Sequence, residues 1–253
     1  MSYMVAVTGK GGVGKTTFSG LVVKNLISMG KTPVLAIDAD PNSCLDAILG
    51  VKAINTVGRA REEINQDGAS PNISTKELLN IKLNESLVEA KGFDLIAMGR
   101  PEGAGCYCYA NNVLKSVIGE LSGQYPYVVL DNEAGLENLS RRIVQKVNLM
   151  ALVSDASNAG LETLKRLYEL AREMEIEYDK LAIVANRVRN GHLPEKLQEI
   201  KTFAKADYLI ALADDGQISQ FAETGRSLLE LPENNPANVK VNEFIRSCIE
   251  YGI

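Results

Sequence analysis

A glycine-rich stretch near the start of this 253-residue chain constrains its fold more than any other feature. Residues 9–16 read GKGGVGKT and match the pattern G-x-x-x-x-G-K-[S/T] at every position. The apolar run Met4 to Thr8 before it predicts a buried strand, and a helix is predicted after it, from about Lys15 to Met29. A loop between a strand and a helix presents backbone N–H groups to an anion. The stretch therefore predicts a phosphate-binding loop in an α/β fold.

The side chains of this loop indicate which phosphate ligand it takes. Lys15 supplies a point charge for the β- and γ-phosphates of a nucleotide, and the Thr16 hydroxyl can ligate Mg²⁺. We therefore expect ATP and Mg²⁺ to bind here, with Lys15 also acting in catalysis. A glycine-rich turn followed by an accidental Lys-Thr pair is the alternative, and the flanking strand and helix disfavour it. The nucleotide-binding residues expected in this stretch are Gly9, Gly11, Gly12, Val13, Gly14, Lys15, Thr16 and Thr17.

Strand and helix patterns alternate along the whole chain. This alternation predicts an α/β fold of the P-loop NTPase class, with a mostly parallel central sheet and helices on both faces. A single domain, 1–253, is the simplest organisation, and residues 54–80 are expected to form a polar surface excursion of helix and loop. Beyond the first strand and helix, strands are predicted at Pro33 to Asp38, Phe93 to Met98, Tyr127 to Leu130, Val147 to Val153, Lys180 to Ala185 and Tyr208 to Leu212, and helices at Asn111 to Leu121, Leu161 to Met174 and Val239 to Tyr251.

Composition narrows the class of protein and its partners. Apolar residues make up 45% of the chain and charged residues 23%, as is usual for a soluble globular protein. The formal net charge is −5 and no basic stripe is present, so nucleic acid is not expected as a partner. Neither a signal-peptide pattern nor an apolar run of bilayer-spanning length occurs, so we expect a cytoplasmic protein with no membrane partner. His192, the one histidine, is expected to be a surface or capping residue.

Acidic residues end two of the predicted strands. Asp38 and Asp40 lie at the end of the second predicted strand, and Asp131 ends the apolar run that starts at Val128. Carboxylates at strand ends lie beside the phosphate loop, where Mg²⁺ takes oxygen ligands and an attacking water needs an acceptor. An acidic turn that caps the next helix is the alternative for the first pair. A strand that merely happens to end in Asp is the alternative for Asp131.

A second lysine, Lys10, stands near the start of the phosphate loop. Residues 10–16 read KGGVGKT and resemble the deviant P-loop family, whose pattern is K-G-G-x-G-K-[S/T]. That family includes the nitrogenase iron protein, the arsenite and tail-anchored-protein ATPases, and the septum-site and partitioning ATPases. The resemblance implies a homodimer in which Lys10 reaches the partner's nucleotide as a catalytic residue. It also implies that Asp40 positions the attacking water and that Asp38 lies near the metal.

Polar residues follow the last two predicted strands. In the resembled family an Asn after the first of these strands reads the edge of adenine, which implies that Asn186, followed by Arg187, binds the nucleotide. An ordinary Asn-Arg turn is the alternative. Ala213, Asp214 and Asp215 follow the last strand and are expected to line the base as well.

Two cysteines, Cys106 and Cys108, stand one residue apart. Thiolates favour soft or borderline metal ions such as nickel, zinc and copper(I). Because residues i and i+2 of an extended segment face the same side, both sulfurs can bind one ion. Two sulfurs fill half of a four-coordinate site, and a two-fold dimer would complete it with a second pair. A chance pair of buried cysteines and a redox pair are the alternatives.

The surroundings of this pair carry a narrower resemblance. Residues 99–109, GRPEGAGCYCY, and 131–141, DNEAGLENLSR, are similar to segments of the CooC-type accessory ATPases, which mature nickel-containing carbon monoxide dehydrogenase and its acetyl-CoA synthase relatives. The resemblance implies an ATP-dependent metallochaperone in which Cys106 and Cys108 of two subunits bind nickel, or zinc, for a client carbon monoxide dehydrogenase or acetyl-CoA synthase. Asn138 departs from the family, in which a His often stands at that place. The alternative functions are an electron donor like the nitrogenase iron protein and a partitioning-type positioning ATPase.

Overall fold

A central sheet of eight strands organises the chain. The computed structural model describes residues 2–60, 81–100, 115, 118–136, 146–189 and 195–250. The strand order across the sheet is β3-β4-β2-β5-β1-β6-β7-β8. The strands are β1 (Tyr3–Gly9), β2 (Val34–Asp38), β3 (Leu87–Ala90), β4 (Phe93–Ala97), β5 (Tyr127–Asp131), β6 (Lys146–Asp155), β7 (Glu177–Val188) and β8 (Tyr208–Ala213). Only the β3–β4 pair is antiparallel among these strands, which confirms the prediction of a mostly parallel sheet.

Helices cover both faces of the sheet. The longer helices of the described ranges are α1 (Lys15–Ser28), α2 (Leu45–Leu49), α3 (Asn158–Glu173), α4 (Glu195–Ala204), α5 (Gly216–Thr224) and α6 (Pro236–Glu250). Residues of α1, α2, α5 and α6 pack in the hydrophobic cluster on one face, and residues of α3 and α4 pack in the cluster on the other. Strands covered on both faces should read as continuous apolar runs, and every residue of β2 is buried. In the described part of the chain, no helix is both long and apolar enough to cross a bilayer.

A buried cluster of amides joins α1 to α6. Asn25 donates from Nδ2 to Asn238 Oδ1 over 3.0 Å, and Asn242 donates from Nδ2 to Asn25 Oδ1 over 2.8 Å. Asn25 is fully buried, so these bonds replace the water that its amide loses on folding. The helix that starts at the phosphate loop is therefore fixed to the last helix of the fold.

The predicted elements match the observed ones apart from a few differences. The helices α2, α4 and α5 were not given bounds from the sequence. The edge strand β3 was not predicted, because a four-residue segment carries too little pattern to separate it from a loop. β7 spans 12 residues rather than the predicted six, because its polar first residues, from Glu177, pair with β6 although they break the apolar run. Of the helix predicted at 111–121, residues 118–121 are helical, and the rest lies mostly outside the described residues, as does most of 54–80.

Candidate nucleotide-binding site

The phosphate loop lies between β1 and α1, as the sequence predicts. β1 ends at Gly9 and α1 begins at Lys15, so the loop leaves the sheet at its carboxyl edge. Gly14 precedes the helix in the left-handed conformation, with φ of 89°, and has no side chain to cap it. The first N–H groups of α1 are therefore left for an anion to accept.

The start of the loop is tied to the chain after β5. Gly135 donates from its backbone N–H to Gly9 O over 3.0 Å, and Thr8 donates from its hydroxyl to the Gly135 carbonyl. Gly9 packs so closely on β6 that a Cβ there would overlap the carbonyl oxygen of Val153. A larger residue at position 9 would therefore displace the loop from the sheet.

Lys15 curls back over the loop. Its side chain is only 7% exposed, and Nζ donates to the carbonyl oxygen of Lys10 over 3.2 Å. The bond ties the end of the loop to its second residue. Lys10 itself is exposed.

Asp38 and Asp131 lie side by side on neighbouring strands. They are partners in the parallel pairing of β2 with β5, and both are almost completely buried. Ser19, on the inner side of α1, donates its hydroxyl to Asp131 Oδ1 over 2.9 Å. Asp38 accepts from the backbone N–H groups of Cys44 and Leu45, at 2.8 and 2.9 Å. Asp38 therefore holds the start of α2, although Asp40 was the expected cap residue of this acidic pair.

Both carboxyls have raised pKa values. Burial, followed by the charge of Asp38, raises the pKa of Asp131 to about 7, although hydrogen bonds from Thr16 and Ser19 and the charge of Lys15 oppose the rise. Burial also raises the pKa of Asp38 to about 6 against the effect of its backbone donors. Two buried carboxyls short of positive charge, beside the Thr16 hydroxyl, form the hard oxygen set that Mg²⁺ prefers. These residues fit a magnesium site next to the phosphate loop.

The Asp40 carboxylate is hydrogen-bonded within its own loop, to Asn42. It is half-buried, and its Oδ1 accepts from the backbone N–H and the amide Nδ2 of Asn42, over 2.9 and 3.1 Å. The structure places Asp40 two residues from buried Asp38, whose Oδ1 accepts from the Asp40 N–H over 3.1 Å. Its role in orienting water stays a prediction.

Asn186 and Arg187, at the end of β7, reach the phosphate loop. Asn186 donates from Nδ2 to Val13 O over 2.9 Å, and Arg187 donates from Nη1 to Gly12 O over 3.2 Å. Arg187 has φ of 54°, in the left-handed region. Asn186 and Arg187, which were expected to bind the base, therefore also contact the phosphate loop.

A cleft of about 270 Å³ opens beside these two residues, between α1, the ends of β7 and β8, and α5. Its lining combines apolar side chains with a few amide, carboxylate and hydroxyl groups, which is usual for a small-molecule site. Asp215 caps α5 by accepting from Gln217 N and Ile218 N over 2.9 and 3.0 Å. The lining residues are Thr17, Phe18, Leu21, Asn186, Arg187, Leu212, Ala213, Asp214, Asp215, Ile218, Ser219, Ala222, Glu223 and Ala237.

Three residues of the site were missed from the sequence. Ser19 lies one helical turn after Thr16, and a second hydroxyl at that spacing was the available signal. Asp155, at the end of β6, has a pKa lowered by hydrogen bonds from Ser157 and by the charges of Lys10 and Arg187. An Asp at the end of one more strand was its signal. Gly135 lies in the 131–141 segment that carries the family resemblance, but its hydrogen bonds with the loop are tertiary contacts that the sequence does not indicate.

The cysteine pair falls on residues that the structure does not describe. Cys106 and Cys108, together with Asn138 and His192, lie outside the described residues. Over the described ranges, no group of three or more His, Cys, Asp or Glu side chains is placed to hold a metal ion. Cys44 is an exposed free thiol, and Cys248 is a buried one.

Comparison with known proteins defines the class. The chain belongs to the family described as the CobQ/CobB/MinD/ParA nucleotide binding domain, whose profile matches residues 4–228. This confirms the resemblance to septum-site and partitioning ATPases seen in residues 10–16. The fold is also that of the septum site-determining protein MinD of Pyrococcus horikoshii complexed with Mg-ADP, with a TM-score of 0.68 at 18% identity over 100% of this chain and 99% of that one.

Two relatives narrow the comparison. The chain is 42% identical to an uncharacterised ATP-binding protein of Methanocaldococcus jannaschii, over 97% of this chain and 98% of the relative. It is 32% identical to the carbon monoxide dehydrogenase accessory protein CooC of Rhodospirillum rubrum, over 73% of this chain and 74% of that protein.

Proposed function

We propose that this chain is an ATP-dependent metallochaperone. In this proposal it is a homodimeric ATPase that binds nickel through Cys106 and Cys108 of each subunit and helps to insert it into carbon monoxide dehydrogenase or acetyl-CoA synthase. The observation that carries the proposal is the 32% identity to the accessory protein CooC, in a chain that also has the Cys-x-Cys pair. Zinc, which takes the same thiolate ligands, is the alternative occupant.

The described site supports the ATPase part of the proposal. Lys15 and the N–H groups of the loop bind the triphosphate, and Asp38, Asp131 and the Thr16 hydroxyl hold Mg²⁺ directly or through water. Mg²⁺, when bound, neutralises charge on the β- and γ-phosphates. Asp40 orients the attacking water once its carboxylate leaves Asn42.

Lys10 supports the dimer part of the proposal. It is exposed, which leaves its ammonium accessible to the nucleotide of a second subunit, as the family resemblance implies. ATP can drive release of a metal only if the closed and open dimers bind that metal with different affinity. A metal site divided between two subunits meets this requirement, because closure alters the distance between its halves.

A nickel titration tests the proposal directly. The purified protein, with Mg²⁺ and a non-hydrolysable ATP analogue, should bind one nickel ion per dimer, and Cys106→Ser or Cys108→Ser should abolish this binding. Cys44→Ser is the matched control, because Cys44 is an exposed thiol outside the pair. Unchanged nickel stoichiometry in both pair variants would refute the metallochaperone role while leaving ATP hydrolysis intact.

A positioning ATPase is the competing function, because the matching family also includes MinD and ParA. It predicts ATP-dependent binding to DNA or to lipid vesicles that does not depend on the cysteine pair. Cosedimentation with each, with and without ATP, separates the two functions. Equal ATP-dependent pelleting of the wild-type protein and Cys106→Ser would support the positioning function.

A further inference from the structure

Arg187 has an unusual backbone for its place in the fold. It is one of four described non-glycine residues with positive φ, and its φ is 54°. Glu175 and Lys205, two of the others, lie within two residues of the ends of α3 and α4, where the left-handed conformation is common. Arg187 lies inside a strand, where the same conformation is strained for a residue with a Cβ. Strain of this kind persists only when surrounding contacts impose it.

A bulge in β7 produces this conformation. β7 pairs with β8 at Ala185 and again at Val188, three residues later, whereas β8 advances by only two residues between these pairs. On the other side, the pairing of β7 with β6 continues through Asn186. β7 therefore has one extra residue opposite β8. Such a bulge bends β7 and redirects the side chains next to the extra residue.

The redirected side chains hold two consecutive carbonyls of the phosphate loop. Arg187 Nη1 donates to Gly12 O over 3.2 Å, and Asn186 Nδ2 donates to Val13 O over 2.9 Å. The approach is close, since a Cβ at Gly14 would overlap the Asn186 amide. Both side chains also line the cleft beside the loop.

Holding a carbonyl fixes the N–H group of the next residue. In a planar trans peptide the C=O and the following N–H point in opposite directions. A Gly12 carbonyl held by Arg187 therefore aims the Val13 N–H to the opposite side, into the loop. The Asn186 bond to Val13 O aims the Gly14 N–H in the same way. These N–H groups are donors of the kind that a phosphate accepts in a glycine-rich loop.

We propose that Arg187 is a positioning residue for phosphate binding: it clamps the Gly12 carbonyl and so keeps the phosphate loop in its binding conformation. The inference rests on the nucleotide-binding part of the proposed function. It assigns Arg187 a role toward the phosphates, distinct from the reading of the base expected of the neighbouring Asn186. The clamp acts on any ligand with a polyphosphate group, whether or not a base is attached.

Comparing a ligand that has a base with one that lacks it distinguishes the clamp from a direct contact between Arg187 and the base. Affinities for ATP and for inorganic tripolyphosphate, both with Mg²⁺, are measured by calorimetry for wild type, Arg187→Gly and Arg187→Lys. We expect Arg187→Gly to weaken both ligands by a similar factor, about tenfold, because the lost bond involves a charged donor. Arg187→Lys, which keeps a donor, should recover part of the loss. Arg166→Ala is the matched control, since Arg166 is an exposed arginine on α3, outside the cleft lining.

The same glycine variant distinguishes the clamp from general stability. Glycine adopts positive φ without strain, so Arg187→Gly should unfold at an equal or higher denaturant concentration while it binds tripolyphosphate more weakly. Loss of ATP affinity with unchanged tripolyphosphate affinity would make Arg187 a base-reading residue and overturn the clamp. Unchanged affinity for both ligands would overturn it too. Failure of the wild-type protein to bind either ligand would instead refute the proposed function, on which the clamp depends.

Discussion

The two halves of the candidate nucleotide site are built in different ways. The phosphate half, comprising the loop at 9–16 with Asp38 and Asp131, consists of one contiguous motif and two adjacent strand ends. The base half, comprising Asn186, Arg187 and the cleft beside them, is assembled from a strand bulge, a second strand end and a helix cap. A contiguous motif carries its conformation in its own residue types. A site assembled from separate elements depends on how those elements pack.

The halves are joined at the loop itself. Asn186 and Arg187 donate to two consecutive carbonyls of the phosphate loop, at Val13 and Gly12. A change in the base half should therefore reach the phosphates, and a change in the loop should reach the base half. The expected sizes of these effects differ, and four measurements order them.

Loss of Lys15 should have the largest effect, because its charge serves the phosphate half alone. Removing one partner of a close charge pair costs about 2–5 kcal/mol, so we expect Lys15→Ala to reduce ATP hydrolysis at least about thirtyfold. Steady-state phosphate release measures this. Lys52→Ala, at an exposed lysine outside the site, is the control and should hydrolyse ATP like wild type. Similar rates for the two variants would mean that Lys15 does not contact phosphates.

Gly14→Ala tests the joint between the halves. Gly14 has φ of 89°, and a Cβ there would overlap the Asn186 amide. Forcing a Cβ into this conformation costs about 1–2 kcal/mol before any clash, so ATP affinity should fall more than about tenfold. Gly119→Ala is the matched control, because Gly119 has open space around it. Adding Asn186→Ala should recover part of the loss, and strictly additive effects would show that the halves are not coupled there.

The raised pKa of Asp131 makes the phosphate half sensitive to pH. Its folded pKa of about 7 lies above the reference value of 3.8, so its protonated form favours folding, and this stability is lost as pH rises from about 4 through 7. We expect the free energy of unfolding of the nucleotide-free protein to fall by more than about 1 kcal/mol across this range. Denaturant titrations at several pH values measure the fall.

Two variations sharpen the pH experiment. Asp131→Asn should flatten the fall, because an amide does not titrate and its oxygen can still accept from Ser19. Added Mg²⁺ should restore stability at the upper end of the range, since a bound cation compensates the buried charge. An equally steep fall in Asp131→Asn would place the titrating group elsewhere.

Sequence predicted the phosphate half far better than the base half. The glycines at 9, 11, 12 and 14 and the Lys-Thr pair specify the loop by residue type. Asp38 and Asp131 could be assigned to the same edge because each ends a predicted strand of a parallel sheet. The hydrogen bond from Arg187 to Gly12 had no such signal, because an arginine gives no indication of positive φ. The bulge that places it depends on the spacing of β7 against β8, which only tertiary packing sets.

The smallest effect is expected in the base half, at Asp215. This residue caps α5 through Oδ1 and accepts from the Asn235 amide through Oδ2, over 2.9 Å. Loss of a helix cap costs about 1 kcal/mol, so we expect Asp215→Ala to weaken ATP about threefold to fivefold by loosening one wall of the cleft.

The affinity of Asp215→Ala for tripolyphosphate shows whether the effect of this substitution is confined to the base half. Asp215 does not touch the phosphate loop, so Asp215→Ala should bind tripolyphosphate as wild type does, in contrast to Arg187→Gly. Ser227→Ala is the control. The Ser227 hydroxyl also caps a helical turn, by accepting from the Leu229 N–H, but Ser227 lies outside the cleft lining. If Asp215→Ala weakened both ligands equally, the wall of the cleft would support the loop as well. The boundary between the halves would then lie at α5 and not at the end of β7.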